Sequence, residues 1–311
     1  MAGFETETGL ELSLQSFVEY HQLELDDIYQ RGTWSRLLVD ARVRRDFDDP
    51  DEEKLARGLR RLAHVNGVSQ LRSLLAMLPE DPKEPFVEPS DETMRRLLLM
   101  LHFVVWGRDW CPATITESID RLRHNPTLYA DLIDLVRLKL EWTEEATEPL
   151  ALPFICPLEL HADYTRDEAL AALGVLSLKT QRDLREGVLF VEELPADVFF
   201  ITLDKTEGDY SPSTMYEDYA ISENLFHWQS QSTTSAESRT GQRYINHRAR
   251  GSHVLVLVRE SKRTNGLACP YTFLGPASYV SSDGSRPMSI IWRLHNRLPA
   301  RLLRRVRRLA V

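Results

Sequence analysis

The amino-acid sequence predicts an α+β protein, with an all-helical N-terminal domain followed by a small, highly curved β-sheet or β-barrel with short helices. Through about residue 145, apolar residues recur at the spacing of amphipathic helices. Prolines 149, 153 and 157 then interrupt the chain. Beyond them, short runs rich in Val, Ile, Phe, Tyr and Trp are separated by turn residues, as in small β domains. A length of 311 residues suits two such domains.

The N-terminal domain is assigned to residues 1–150. Ser13 is a suitable N-cap for the first helical pattern. The segment Pro79–Pro89 contains four prolines among acidic residues, so we expect a break in the helical domain there. Helices are predicted over Leu14–Val18, Trp34–Ala41, Leu55–Ala63, Leu71–Leu78, Met94–Trp106 and Leu128–Trp142.

The second domain is assigned to residues 155–311. Thr165 and Glu168 have the spacing of a capping box, which predicts a short helix ending near Gly174. Pro299–Val311 combines leucines with five arginines, a pattern that predicts a basic amphipathic helix. Strands are predicted over Val188–Val191, Val198–Leu203, Leu225–Gln231, Val254–Arg259, Tyr271–Phe273, Tyr279–Ser281 and Ser289–Leu294.

Charge is distributed unevenly along the chain. The formal net charge is −9, but residues 239–311 contain 15 basic and two acidic side chains, a net charge of +13. Such asymmetry is typical of a protein with a polyanionic partner. Pairing between the acidic and basic regions, or plain solvated charge, is the alternative explanation. The arginines that we expect to contact DNA phosphates are Arg239, Arg243, Arg248, Arg250 and Arg286.

The segment 210–232 places five aromatic rings among carboxylates, amides and hydroxyls. Aromatic faces stack on nucleobases, a carboxylate accepts from the cytosine amino group, and glutamine pairs with base edges. Alternatively, the aromatic residues form core and the polar groups face solvent. The residues that we expect to line a base pocket are Tyr216, Asp218, Phe226, Trp228, Gln229 and Gln231.

Several catalytic and targeting patterns are missing from the sequence. It has no phosphate-loop, metalloprotease or hydrolase motif, and its three cysteines are far apart. We therefore expect no cofactor, no metal and no enzymatic activity of the chain by itself. A metal-dependent nuclease built from Glu217, Asp218, His227 and His247 remains a second hypothesis. Apolar runs are too short for a membrane span, and the acidic N-terminus resembles no signal peptide, so we expect a cytoplasmic protein without a membrane partner.

Six blocks of the second half are similar to one particular domain of bacterial proteins. The blocks are Tyr164–Glu168, Tyr216–Ser222, Phe226–Ser232, Gly241–Ile245, Tyr271–Pro276 and Arg286–Trp292. They resemble the C-terminal domain, initially of unknown function, of superfamily II helicases that often carry a phospholipase-D-like nuclease domain. The SauUSI-like modification-dependent (type IV) restriction enzymes have this architecture. Residues 1–150 resemble, more weakly, the helical segment that joins the helicase core to that domain.

This resemblance implies a PUA/SRA-like barrel that reads modified cytosine in double-stranded DNA as part of an antiviral defence system. Base flipping is the expected mode, in which stacking and edge hydrogen bonds in an aromatic pocket with a carboxylate recover the free energy spent on extruding the base. Neither the helicase motifs nor the nuclease motifs are present in this sequence. The chain is thus expected to be a specificity domain or fragment that works with helicase and nuclease domains or subunits. An assembly module that docks a helicase through the helical adaptor, residues 1–150, is the third hypothesis.

Overall fold

The structure of the protein is a computed structural model that describes residues 1–143, 147–180, 186–204, 218–264 and 266–309. From residue 305 onwards it describes the backbone alone. The chain divides into two compact units. Unit 1 comprises Met1–Glu159 and Asp167–Arg182, and unit 2 comprises Leu160–Arg166 and Asp183–Val311. Most of the short helix predicted after Thr165 is thus counted with the helical unit, although the sequence places it in the second domain.

Several helices of unit 1 begin with a side-chain cap. Ser13 accepts a hydrogen bond from the Ser16 N–H, which confirms its predicted capping role. Thr33, Asp91, Thr114 and Asn125 cap later helices in the same way. The helices are α1 (Phe4–Thr8), α2 (Leu14–His21), α3 (Leu25–Tyr29), α4 (Trp34–Asp40), α5 (Glu52–Leu62), α6 (Val68–Met77), α7 (Glu92–Val105), α8 (Ile115–Arg123), α9 (Pro126–Trp142) and α10 (Arg166–Ala172).

The core of unit 1 lies among the longer helices α5, α6, α7 and α9. Leu71, Leu98 and Leu135 are fully buried there, as their helical spacing predicts. The segment 79–89, where the sequence predicts a break, contains neither helix nor strand. Arg61 reaches from α5 to the end of α7, where its guanidinium donates to the carbonyl oxygens of Val104 and Val105.

Asp131 on α9 forms a buried polar cluster with the start of α4. Its carboxylate, 3% exposed, accepts hydrogen bonds from the Ser35 N–H at 2.9 Å and from the Ser35 hydroxyl at 2.6 Å. The Arg44 guanidinium donates to the same hydroxyl oxygen. Burial outweighs these hydrogen bonds and raises the pKa of Asp131 to about 6.

Asp131→Asn is expected to flatten the pH dependence of the stability of unit 1. The folded-state pKa lies above the value of about 3.9 in an unfolded chain, so the stability that Asp131 contributes is fully present below pH ~4 and falls by about 2–3 kcal/mol as the pH rises to ~7. Asparagine does not titrate and cannot show this loss. Denaturant titrations across this pH range measure the effect, with Asp48→Asn as a control for one lost surface charge. Parallel profiles for Asp131→Asn and wild type would contradict the assignment.

In its described residues, unit 2 contains most of the strands and two further helices. Ser238 caps α11 by accepting a hydrogen bond from the Gly241 N–H. The remaining elements, with two short strands of the connection between the units, are β1 (Glu148–Pro149), β2 (Glu159–Leu160), β3 (Asp163–Tyr164), β4 (Val188–Val191), β5 (Ala196–Thr202), β6 (Tyr219–Ala220), β7 (Leu225–Gln229), α11 (Arg239–Ile245), β8 (His253–Arg259), β9 (Arg263–Thr264), β10 (Leu267–Ala268), β11 (Tyr271–Asp283), β12 (Ser289–Leu294) and α12 (Ala300–Leu309).

The strands of unit 2 form an eight-stranded sheet in the order β4-β5-β8-β11-β12-β7-β6, with β3 added to β11. Its pairs are antiparallel except for β5 with β8, which run parallel. Strands β4 and β6 are the two ends of this order within the described residues, so the sheet is not closed there. The protein is therefore of mixed α+β class with an open, mostly antiparallel sheet.

The prediction of two separate strands at Tyr271–Phe273 and Tyr279–Ser281 is wrong. One 13-residue strand, β11, runs through both and changes register near Gly275 and again after Tyr279. Gly275 has a φ of 78° and forms a β-bulge, so the chain bends without leaving the sheet. The Gly-Pro pair at 275–276, which reads as a turn in the sequence, is a kink inside a strand.

Aromatic rings form the core of unit 2. Trp228 stacks on Phe199 with ring centroids 4.3 Å apart, and Tyr244 and Trp292 pack edge-on around them. Helix α11 lies close to the segment that precedes it: a Cβ on Gly241 would meet the Ser235 carbonyl oxygen at 1.9 Å. The glycine therefore permits Tyr244, fully buried, to reach the core.

Candidate nucleic-acid interface

Strand β7 divides the predicted base-pocket residues between two faces of the sheet. Successive side chains of a strand point to opposite faces. Phe226 and Trp228 point inward and are 1% and 5% exposed. Leu225, His227 and Gln229 point to the other face and are half-buried. The structure therefore separates the two predicted rings from the predicted amide of Gln229.

The remaining predicted pocket residues also lie apart. The Gln231 side-chain oxygen accepts hydrogen bonds from the hydroxyls of Tyr244 and Thr234, at 3.2 and 3.3 Å, beside the aromatic core. Asp218 lies next to β6, where its carboxylate accepts the N–H of Gln229 at 3.0 Å. Tyr216 is outside the described residues. Asp218 and Gln229 are thus the two predicted pocket residues that this contact brings together.

An aromatic pair from outside the predicted base-pocket set lies beside them. Tyr219 of β6 is the register partner of His227 on β7, and their rings stack with centroids 4.7 Å apart and planes 19° from parallel. Both residues are half-buried. Directly opposite residues of antiparallel strands project to the same face, so Tyr219, His227 and Gln229 share one surface.

Strand β12 extends the same surface. Ser289 pairs with Gln229, Ile291 with His227 and Arg293 with Leu225. The side chains of β12 alternate between buried and accessible, with Arg293 exposed. We call the surface made by Tyr219, His227, Gln229, Ser289, Ile291 and Arg293, together with Asp218 at its end, the outer face. It combines aromatic rings, one carboxylate, an amide and a cation, which are the groups that nucleobases and phosphates bind.

Four of the five predicted phosphate-contacting arginines are exposed. Arg239, Arg250 and Arg286 project from α11, from the turn after it and from the β11–β12 turn. Arg248 is exposed and donates from Nε to the Ser278 hydroxyl at 3.0 Å. A backbone hydrogen bond, a hydrogen bond from Ser235 and, to a smaller extent, the positive charge of Arg286 lower the pKa of Glu237.

Arg243, the fifth, is committed to a buried ion pair. Its Nε and Nη2 atoms donate to the two oxygens of Asp197 at 2.7 and 2.8 Å, and its guanidinium lies 4.2 Å from the ring centre of Phe190. Asp197 is fully buried. Burial raises the pKa of Asp197 and the ion pair with Arg243 opposes that rise. The arrangement makes Arg243 a structural residue of unit 2.

The groups invoked for a metal-dependent nuclease do not come together in the described chain. Glu217 lies outside it, and no group of three potential metal ligands is found among the described residues. His247 uses both ring nitrogens: Nδ1 bonds to the Ser252 carbonyl oxygen at 3.1 Å, and Nε2 accepts the Tyr279 N–H at 3.1 Å. These bonds leave neither nitrogen for a metal.

Comparison with known proteins relates this region to one family. Residues 158–306 match the model of a family described as "Domain of unknown function (DUF3427)". The matched segment contains the outer face and the exposed arginines. No curated protein matches the chain. Among the described helices, none has the length and apolar character needed to cross a membrane.

Proposed function

We propose that this chain binds double-stranded DNA containing 5-methylcytosine or 5-hydroxymethylcytosine and reads the modified base after flipping it out of the duplex. The observation that carries the proposal is the Tyr219–His227 stack on the outer face, beside Asp218 and Gln229. A flipped base would stack on the accessible ring face of this pair. The Asp218 carboxylate would accept from the cytosine amino group. Phe226 and Trp228 would support the strand from behind.

Exposed arginines of unit 2 support binding to the DNA backbone. Arg239, Arg250 and Arg286 are free of the buried ion pairing that engages Arg243, and they lie within the segment of net charge +13. Contacts from such side chains hold a duplex in place without reading its sequence. Selectivity would then depend on the outer face, and overall affinity on the arginines.

The proposed cellular setting rests on the family resemblance. We propose that the open sheet of unit 2 is a variant of the PUA/SRA-like barrel, acting in a cytoplasmic restriction system. Unwinding and cleavage would belong to helicase and nuclease domains or subunits, to which unit 1 would dock. The chain by itself would bind DNA without acting as an enzyme.

His227→Ala tests the outer face. Loss of the stacking ring should weaken binding to modified DNA by about 1–3 kcal/mol, or roughly 5- to 150-fold in Kd. Competition titrations with matched duplexes, containing cytosine, 5-methylcytosine or 5-hydroxymethylcytosine at one position, measure the change. Ile221→Ala is the matched control, because it removes an exposed aliphatic side chain from the same hairpin. Asp218→Asn, which keeps an oxygen for the Gln229 N–H, should reduce the preference for modified cytosine.

The alternatives give different patterns of loss. Arg250→Glu should weaken binding to all three duplexes equally, since phosphate contacts carry no sequence information. Equal losses for His227→Ala would place His227 in the backbone contact and remove the base-reading role of the outer face. Failure of the wild-type chain to bind any duplex at low ionic strength would overturn the DNA-binding proposal itself.

A further inference from the structure

The Ser278 hydroxyl joins two exposed basic side chains of unit 2. It accepts a hydrogen bond from Arg248 Nε at 3.0 Å, and it lies 2.7 Å from His295 Nε2. Ser278 itself is 2% exposed, whereas Arg248 and His295 are exposed. A buried hydroxyl therefore sets the distance between an arginine and a titratable imidazole that both reach solvent.

Backbone topology holds these groups in place. The last pair between β11 and β8 is Pro276 with Leu255. Strand β11 continues beyond it, whereas β8 begins at His253. At this open edge, His247 Nε2 accepts the Tyr279 N–H in place of a neighbouring strand. Arg248 follows His247 directly and is thereby fixed beside Ser278. His295 is fixed from the other side, because its N–H donates to the Pro276 carbonyl oxygen at 3.0 Å.

The charges that act on this cluster are predominantly positive. Burial lowers the pKa of His295, and Arg248 and His253 lower it further. Burial is also the largest cause that lowers the pKa of His247; the hydrogen bond to the Ser252 carbonyl oxygen opposes it, and Arg248, His253 and His295 lower the pKa further. Arg293 is the register partner of Ser278 and projects to the same face. At the adjoining end of β12, the carboxylate of Glu223 lies 3.6 Å from Arg297.

The hydrogen-bond geometry links protonation to ligand binding. Arginine Nε can only donate, so Ser278 Oγ accepts from Arg248 and offers its own hydrogen to the neutral His295 Nε2. Protonation of His295 puts a hydrogen on Nε2, which then donates to Oγ. An anion placed against the cluster would meet an arginine and an imidazolium, whose separation the buried hydroxyl of Ser278 fixes.

We propose that Arg248, Ser278 and His295 form a phosphate-binding site whose affinity rises when His295 takes up a proton. The ligand is a tetrahedral oxyanion, either a phosphodiester of the DNA backbone or a free phosphate ion. The DNA form of this inference rests on the proposed function, whereas the binding of a free anion does not. The site differs from the outer face in that it reads charge and pH and carries no base selectivity.

The test uses the full chain and two anions whose charge is constant between pH 6.0 and 7.5. One is an unmodified DNA duplex and the other is sulfate, a non-titrating substitute for phosphate. We expect the wild-type Kd for each anion to be roughly three- to tenfold lower at pH 6.0 than at pH 7.5. Binding that takes up one proton can change Kd by up to about tenfold per pH unit. Sulfate should also raise the pKa of His295, followed by NMR of the histidine imidazoles.

Two histidine variants show whether the pH dependence of binding comes from titration of His295. His295→Gln keeps a side-chain polar group beside Ser278 but cannot titrate, so its ratio of Kd values at the two pH values should fall to about 1. His124→Gln, an exposed histidine of unit 1, should keep the wild-type ratio. Arg248→Gln should weaken sulfate binding at both pH values.

The outcomes distinguish the site from the DNA proposal. A wild-type ratio retained in His295→Gln, or a His295 signal that sulfate leaves unchanged, overturns the inference. If the wild type binds sulfate with the expected pH dependence and His295→Gln does not, while DNA binding is independent of pH, the site is supported and its ligand is a free anion. Complete failure to bind DNA, together with His295-dependent sulfate binding, overturns the proposed function and leaves the anion site standing.

Discussion

Replacing Arg243 by glutamine is expected to lower the free energy of unfolding of unit 2 by about 3–5 kcal/mol, the usual cost of removing one partner of a buried ion pair. The variant leaves the fully buried carboxylate of Asp197 without its two guanidinium hydrogen bonds. The pKa of Asp197, already raised by burial, should rise further above its unfolded value. The variant should therefore regain stability as the pH falls, because protonation removes the buried charge.

Denaturant titrations of the full chain at several pH values measure this effect. Arg250→Gln is the matched control, because it removes an exposed arginine from the same region. The double variant Asp197→Asn/Arg243→Gln should recover part of the loss, since it has no carboxylate to bury. If Arg243→Gln is as stable as the wild type but binds DNA more weakly, Arg243 contacts phosphate as the sequence predicts.

Trp228→Ala is expected to cost unit 2 about 3–5 kcal/mol of stability, the range for removal of a large aromatic residue from a core. The indole is 5% exposed and stacks on Phe199, with Tyr244 edge-on at 5.6 Å. Its removal leaves a cavity that the surrounding rings cannot fill without moving.

The neighbouring residue supplies the control for this prediction. His227→Ala changes the opposite face of the same strand, so it should alter stability far less and should weaken the proposed DNA binding. Chemical denaturation followed by near-ultraviolet circular dichroism compares the two variants. If Trp228→Ala remains as stable as wild type but loses selectivity for modified cytosine, Trp228 lines a base pocket as the sequence analysis expects.

Local periodicity made much of the fold predictable. The expected helices Met94–Trp106 and Leu128–Trp142 correspond to α7 and α9, because a long apolar stripe at helical spacing has few alternative structures. Helix α11 was missed, since it is short and contains Thr240 and Gly241, which are poor helix formers. Its stability comes from the Ser238 cap and from burial of Tyr244, and burial of that kind depends on tertiary structure.

The candidate site was less predictable because it depends on side-chain direction and on distant partners. A dense aromatic block suggested one pocket, yet strand alternation sends Trp228 inward and His227 outward. Applying the two-residue period within Leu225–Gln229 would have separated them. The ion pair of Arg243 with Asp197 joins residues 46 positions apart, and no local pattern reports it. The Tyr219–His227 stack likewise requires knowledge of the β6–β7 register.

The parallel pairing of β5 with β8 has a consequence for how unit 2 folds. Ala196 pairs with His253 across a crossover that includes β6, β7 and α11, whereas the β11–β12 hairpin closes between Asp283 and Ser289. Pairing of segments that are distant in sequence costs more chain entropy, and this cost is met before the stabilising contacts between the strands form. We infer that the hairpin forms early and that β5–β8 pairing limits the folding rate. Mutations in the crossover, which contains β6 and β7 of the outer face, should then change the folding rate as well as the proposed DNA binding.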